Sequence, residues 1–308
     1  MSKMMMARDV YGETLLELGC EDRNIVVLDA DLSGSTRTAK FSKVFPERFF
    51  NMGVAEQNLI GTAGGLAICG KTVFVSTFAI FASGRAWDQV RNTIVYNKLN
   101  VKIVATHAGL TVGPDGASHQ AIEDMALMRV LPDMVVMVPC DGPQTKDIIR
   151  AAAAYTGPVY IRMGRPKVPT IEGKPGFQMG KAEILREGKD ISIIACGTMV
   201  KKSLDAAGFL AGENKQAQVI NMHTIKPIDK QAIINCAGKT KKIVVCEEHM
   251  ITGGLASAVS EVLSEFAPVL MERIGVRNKF GQSGNPDNLL KKYNLTTEDI
   301  VKACHKLL

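Results

Sequence analysis

The densest run of chemistry-bearing side chains is THAGLTVGPDGASHQ (residues 106–120), which sets His107, Asp115, Ser118 and His119 in one glycine-rich loop. Imidazoles and a carboxylate so grouped can relay protons and hydrogen-bond the oxygens of a small polar substrate. The glycines let backbone approach a ligand closely. A lone His or Asp after a strand is ordinarily a turn residue or helix cap, and Asp115-Gly116 alone is a turn dipeptide. Two histidines and an aspartate within thirteen residues shift that reading towards a site. Other polar groups follow other strand-like runs: Asp31, Ser33 and Ser35 after 25–29, Thr77 with Phe78 and Phe81 after 73–76, and Arg162 and Arg165 at and after 159–162. Spacing alone leaves Phe78 and Phe81 readable as plain core. Glu56, in FFNMGVAEQNL, is readable as a carboxylate favouring a helix N-terminus.

Parallel strands alternating with helices would position these groups. Short apolar, β-branched runs at Ile25–Asp29, Val73–Ser76, Val101–Thr106, Val135–Pro139 and Val159–Arg162 alternate with helix-length segments Val10–Cys20, Ala55–Cys69, Trp87–Asn97, Ala121–Val130 and Gln144–Ala154. Continuous rather than alternating apolar strands imply a parallel sheet covered on both faces, and ligands of such sheets sit beyond the carboxyl ends of the strands. RPKVPTIEGKPGFQMGK (165–181) reads as a linker. A second series follows: strands Ile191–Cys196, Val219–Asn221, Ile243–Cys246 and 269–274, with helices near 199–211, 229–237 and 254–265. Thr296 and Asp299 have capping-box spacing at the start of a last helix. The fold expected is α/β, two doubly wound domains with mainly parallel sheets, bounded at 1–170 and 185–308 with a linker at 171–184.

Length and composition fit that organisation. The 308 residues suffice for about two domains, and 46% hydrophobic with 22% charged residues is a globular mix. The net charge of +6 is spread along the chain without the basic, aromatic-interleaved runs of a nucleic-acid groove, leaving only attraction for small anions. Seven scattered cysteines without a CxxC indicate neither a zinc ribbon nor a disulfide framework. The N-terminus lacks a signal-like apolar stretch and no run approaches a membrane span, so a cytoplasmic protein with no membrane partner is expected. CEEH (246–249) invites a metal reading, but no fourth ligand lies near it and no metal site is assigned to this chain.

GVAEQNL (53–59), STFAIF (76–81), residues 106–142 and YIRMGRPKVP (160–169) together resemble the C-terminal half of transketolase, in order and over essentially the whole chain. The resemblance implies a pyrimidine-binding domain followed by the transketolase C-terminal domain. It also implies thiamine diphosphate as cofactor, and transfer of a two-carbon ketol unit from a ketose phosphate to an aldose phosphate. The family's Gly-Asp-Gly…Asn motif, which holds Mg2+ and the diphosphate, has no counterpart here. The chain therefore looks like one subunit of a split transketolase. A partner N-terminal subunit would hold most of the Mg2+ and diphosphate, in an expected α2β2 assembly.

The same resemblance distributes roles. Glu56 matches the glutamate that hydrogen-bonds the aminopyrimidine, Phe78 and Phe81 the aromatics against that ring, and Asp31 a cofactor-side position. His107 and His119 match groups bonding substrate oxygens, and Asp115 the group that binds the donor's C2 hydroxyl. Arg8, Ser35 and Arg165 match residues gripping the sugar phosphate, which a guanidinium fork suits. A third aromatic of the family's pocket is Gly84 here, with Trp87 near enough in sequence to compensate. Two relatives compete. 1-Deoxyxylulose-5-phosphate synthase shares a similar loop and an RAxDQV-like segment but usually lacks a His107 equivalent. The 2-oxoacid dehydrogenase beta subunit usually departs from GPDGASHQ. A non-catalytic scaffold subunit would have had little reason to keep Glu56, His107, Asp115 and His119 together.

Overall fold

A computed structural model describes residues 3–308. The N-terminal half runs β1 (Met4–Met6), α1 (Ala7–Glu21), β2 (Ile25–Asp29), α2 (Ser33–Thr36), α3 (Ala39–Val44), β3 (Phe49–Asn51), α4 (Glu56–Ile68), β4 (Thr72–Phe78), α5 (Trp87–Gln89), β5 (Val101–Ala108), α6 (Asp124–Arg129), β6 (Val135–Met137), α7 (Gly142–Ala154), β7 (Val159–Gly164) and β8 (Lys167–Pro169). Then come β9 (Glu183–Arg186), β10 (Ile191–Ala195), α8 (Met199–Gly212), β11 (Ala217–Asn221), β12 (Thr224–Lys226), α9 (Lys230–Thr240), β13 (Lys242–Met250), α10 (Leu255–Phe266), β14 (Leu270–Val276), α11 (Pro286–Lys292) and α12 (Thr297–Leu307).

Seven strands form the first sheet in the order β12-β6-β7-β5-β4-β2-β3, parallel except for β12. The second, β14-β13-β10-β11-β9, is parallel except for β9. Both are covered by helices on two faces, which is why β2, β5 and β10 are buried at every residue. Burial is so complete that Lys102, within β5, must turn its ammonium to the carbonyls of Tyr155 (2.6 Å) and Gly157 (2.7 Å). Desolvation there lowers its pKa to about 7.

The alternating strand and helix pattern read from the sequence is present, with local differences. The helix expected over 87–97 is not continuous α: Phe81–Arg85 and Val90–Val95 are π-helical, and the Tyr96 amide reaches back five residues to the Arg91 carbonyl (3.0 Å). The strand at 135 stops at Met137, before the ring of Pro139. Strand β12 leaves the second half of the chain to pair antiparallel with β6 of the first sheet (Thr224 opposite Met137). Strand β9 begins at Glu183, inside the stretch assigned to the linker. The last helix carries its capping box, with Thr296 and Asp299 bonding each other's backbone amides. Among the described residues no helix is long and apolar enough to cross a membrane.

Candidate active site

Strand β5 ends at the loop, where positive φ at His107 (57°) and Gly109 (86°) turns the chain out of the sheet. The His107 ring stacks on Phe78 with centroids 3.9 Å apart. His119 meets Phe81 edge-on at 5.3 Å, and the two phenyl rings lie 6.1 Å apart, nearly parallel. His107 Nε2 stands 3.3 Å from Arg8 Nη1 and Nδ1 stands 2.8 Å from the Thr106 hydroxyl. A guanidinium can only donate, so Nε2 accepts and Nδ1 carries the proton to Thr106. Burial, then the nearby charges of Arg8 and Arg165, lower the His107 pKa to about 3. The ring is neutral at physiological pH. Donation from Nε2 to a substrate oxygen, the role implied above, therefore requires Arg8 to let go and the Thr106 hydroxyl to become the donor.

Three guanidinium groups surround this ring. Arg8 is presented by the first turn of α1, which β1 anchors by pairing antiparallel with β8 (Met6 opposite Lys167). It donates to the Ser35 carbonyl (3.2 Å), while its buried Nε has no partner. Burial and the Arg37 charge lower its pKa below that of an ordinary guanidinium. Arg37 is held by Asp9 (2.6 Å). Arg165 donates to the Val112 carbonyl (2.6 Å) and lies 3.7 Å from Asp115. An unpaired buried N–H among like charges is what a doubly charged phosphate oxygen set would satisfy.

Glu56 opens α4 with its side chain 4% exposed and lines a cavity of about 630 Å³ with Val54, Ala55, Gln57, Asn58 and Arg85. Arg85 lies 3.3 Å from the Glu56 carboxylate and 4.1 Å above the Phe81 ring, spanning two of the three residues matched to the cofactor's pyrimidine. A Cβ on Gly84 would meet nothing within 4 Å, so the missing aromatic leaves open space. Trp87 does not reach it: its indole N–H donates to the Leu127 carbonyl (3.0 Å), and none of its side-chain atoms lies within 4 Å of where that Cβ would be. Of the glycines in α4, Gly64 is needed for close packing: a Cβ there would meet Thr93 at 2.5 Å. At Gly61 and Gly65 a Cβ would meet nothing within 4 Å among the described residues.

The structure thus brings Arg8, the Ser35 backbone, Phe78, Phe81, His107, Asp115, His119 and Arg165 into one cluster, with Glu56 joined through Arg85. Asp31 stands apart: exposed, with φ of 62°, it accepts from Asn51 Nδ2 (2.7 Å) and contacts none of the others. The Ser35 hydroxyl makes no bond to the cluster either. Arg37, Thr106 and the Arg85–Glu56 pair escaped sequence reading. Only the last left a signal, as a cation in GRAWDQV beside the phenylalanines.

Known proteins share the domains and the fold of this chain. Residues 3–170 match the family model for the transketolase pyrimidine-binding domain and residues 180–300 that for the transketolase C-terminal domain. A putative transketolase C-terminal section from Methanocaldococcus jannaschii is 54% identical over 96% of this chain and 94% of its own. A 6-deoxy-6-sulfo-D-fructose transketolase subunit from a Clostridium species is 43% identical over 97% and 94%. A solved structure described as the inactive β4 tetramer of a split-gene transketolase superposes with a TM-score of 0.92 at 53% identity, covering 99% of this chain and 98% of that one. Two adjoining domain matches spanning nearly the whole length, with relatives this close, establish that the chain belongs to the transketolase family.

Proposed function

We propose that this chain is the pyrimidine-binding subunit of a two-chain transketolase, using thiamine diphosphate to move a ketol unit between sugar phosphates once a partner supplies the Mg2+- and diphosphate-binding half. The observation carrying the proposal is the joint placement of buried Glu56, the Phe78/Phe81 pair and the His107–Asp115–His119 loop beside three arginines. These residues fit the cofactor's ring: a shielded carboxylate, aromatic faces and unfilled space at Gly84.

Thiamine diphosphate, when bound, would supply an electron sink for the pair left by a breaking ketose C–C bond. Glu56 would share a proton with the aminopyrimidine nitrogen, a task suited to a carboxylate held out of water. Docking a ring there requires Arg85 to swing off Glu56, which its exposed position allows. His107 and His119 would hold the substrate's oxygens, Asp115 a hydroxyl, and Arg8 and Arg165 the phosphate. Asp31 remains a proposed cofactor-side residue through an arrangement that forms only on assembly.

The test is reconstitution. This chain is mixed with its candidate diphosphate-binding subunit, thiamine diphosphate and magnesium, and assayed for ketol transfer from xylulose 5-phosphate to ribose 5-phosphate, with pyruvate as the control donor. Activity in the mixture alone, with pentose phosphates, supports the proposal. Turnover of pyruvate instead, or a stable complex inert to both donors, overturns it.

A further inference from the structure

We propose that Glu248, a buried carboxylate of the C-terminal half, is a positioning residue that clamps the backbone of the substrate loop. The inference rests on reading that loop as sugar-phosphate binding, and it gives the C-terminal half a part in the site itself.

Strand β13 runs its carboxyl end beneath residues 109–122. Glu248 Oε1 accepts from the Thr111 amide (2.7 Å) and Oε2 from the Thr198 hydroxyl (2.7 Å). The Glu248 carbonyl accepts from Arg162 Nη2 (2.9 Å), and the Met250 amide donates to the Ile122 carbonyl (2.7 Å). Arg162 is fixed in turn by Asp124 (2.9 Å), just past the loop. The carboxylate sits so close that a Cβ on Gly109 would lie 2.3 Å from Oε1. Glycine is required there twice over, since φ is +86°.

From Thr111 a short path leads to the site. The next carbonyl, that of Val112, takes Arg165 Nη1 at 2.6 Å, and the same Nη1 lies 3.7 Å from Asp115. Fixing Thr111 therefore fixes the carbonyl that aims a phosphate-gripping guanidinium beside the hydroxyl-binding carboxylate. A second tether holds the far end of the loop: Gln120 Nε2 bridges the carbonyls of Leu110 (3.0 Å) and Gln282 (3.0 Å). A mere interdomain filler would need only volume. Here both carboxylate oxygens are occupied by donors from opposite sides of the junction, one of them the loop's own amide.

The experiment compares Glu248→Ala and Glu248→Gln in the full chain and in the reconstituted complex. Glutamine keeps an acceptor for Thr111, and the Thr198 hydroxyl can rotate to accept from Nε2. In the full chain alone, amide hydrogen exchange of peptides covering 109–122 should accelerate about tenfold or more in the alanine variant and stay within about threefold of wild type in the glutamine variant. In the complex, the alanine variant should raise KM for the ketose phosphate about tenfold with kcat changed less than about threefold. Thiamine diphosphate affinity should not move. Should Glu248→Ala not fold, Thr198→Val, which frees one carboxylate oxygen, must by itself accelerate exchange at Thr111. Unchanged loop exchange, equal damage from alanine and glutamine, or cofactor affinity falling in step with KM would each overturn the clamp. Exchange is read without turnover, so an inert wild-type complex would sink the functional proposal while leaving the clamp decided.

Discussion

Two interior parallel strands, β5 in the first sheet and β13 in the second, both end in runs of ionisable residues, and the two ends do opposite things. At β5 the groups keep open valences: Asp115 is 36% exposed in its side chain, His119 is half-buried, and His107 Nε2 meets the guanidinium of Arg8, whose buried Nε has no partner. At β13 every valence is spent inside the protein. Glu247 accepts from the Leu255 and Ala256 amides at the start of α10 (2.7 and 2.9 Å), Glu248 from Thr111 and Thr198, and His249 bridges the Met250 carbonyl and the Ala126 amide. Burial pushes Glu247 up to about 7 despite those donors. Composition at a strand end therefore identifies a candidate, and unspent hydrogen-bonding capacity separates a site from a support.

The sharpest way to break this contrast is at the open end. Glu56→Gln removes the shareable proton while keeping size and one acceptor. Ketol transfer in the reconstituted complex should fall about a hundredfold or more, the usual scale for losing a positioned acid–base group. The melting temperature should hardly change, because Glu56 is paired only with half-exposed Arg85. Turnover within a few-fold of wild type would remove Glu56 from the mechanism and place it with the supports.

Protonation offers a second, smaller test that both ends share. Burial holds His107 near 3 and His223 and His249 near 4, all below the ordinary 6.5. Below 6.5 the unfolded chain takes up these protons and the folded chain does not. The stability they represent is therefore complete above 6.5 and is lost as pH falls towards 3–4. Glu247, raised above its ordinary 4.5, works in the other direction between 4.5 and about 7, because there the folded chain keeps a proton that the unfolded chain releases. Near pH 5 it offsets one of the three. Denaturant titrations at several pH values should show His107→Gln and His249→Gln each removing about one proton from the linkage slope near pH 5. Only His107→Gln should also impair turnover. Equal activity loss in both would erase the distinction between the two strand ends.

How much was readable beforehand follows the same division. The strands IVVLD and VKIVATHA announce themselves because burial on both faces demands continuous β-branched residues. The loop's His and Asp stand out because glycines isolate them. What stayed hidden depends on distant pairing. Strand β1 is three methionines, which carry no strand preference, yet it aims Arg8 at the site by pairing with β8, 165 residues away at Met4–Pro169 in register. Strand β12 is three residues long and gains its place only from β6 of the other half. Glu248, inside CEEH, looked at most like a stray metal ligand, because its Thr111 partner lies 137 residues earlier. Local sequence reports which groups can do chemistry, whereas tertiary contacts decide whether their capacity is already taken.

Glycines give the comparison its finest test, since Gly109 and Gly84 differ in the way the two strand ends do. At Gly109 a methyl group collides with Glu248 and strains the backbone. At Gly84 a Cβ meets open space, the chain continues in a helical turn, and φ lies outside the left-handed region. Gly84→Tyr should therefore fold with a melting temperature within about 2 °C of wild type, as surface substitutions without a buried conflict do. Its ring would extend the Phe78–Phe81 wall, and isothermal titration of the reconstituted complex should show thiamine diphosphate binding about two- to threefold tighter, the scale of one additional aromatic contact. A large loss of stability would mean that the space beside Gly84 is already committed on assembly, to the partner or to Arg85 in its displaced position. The open character of this wall would then be a property of the lone subunit.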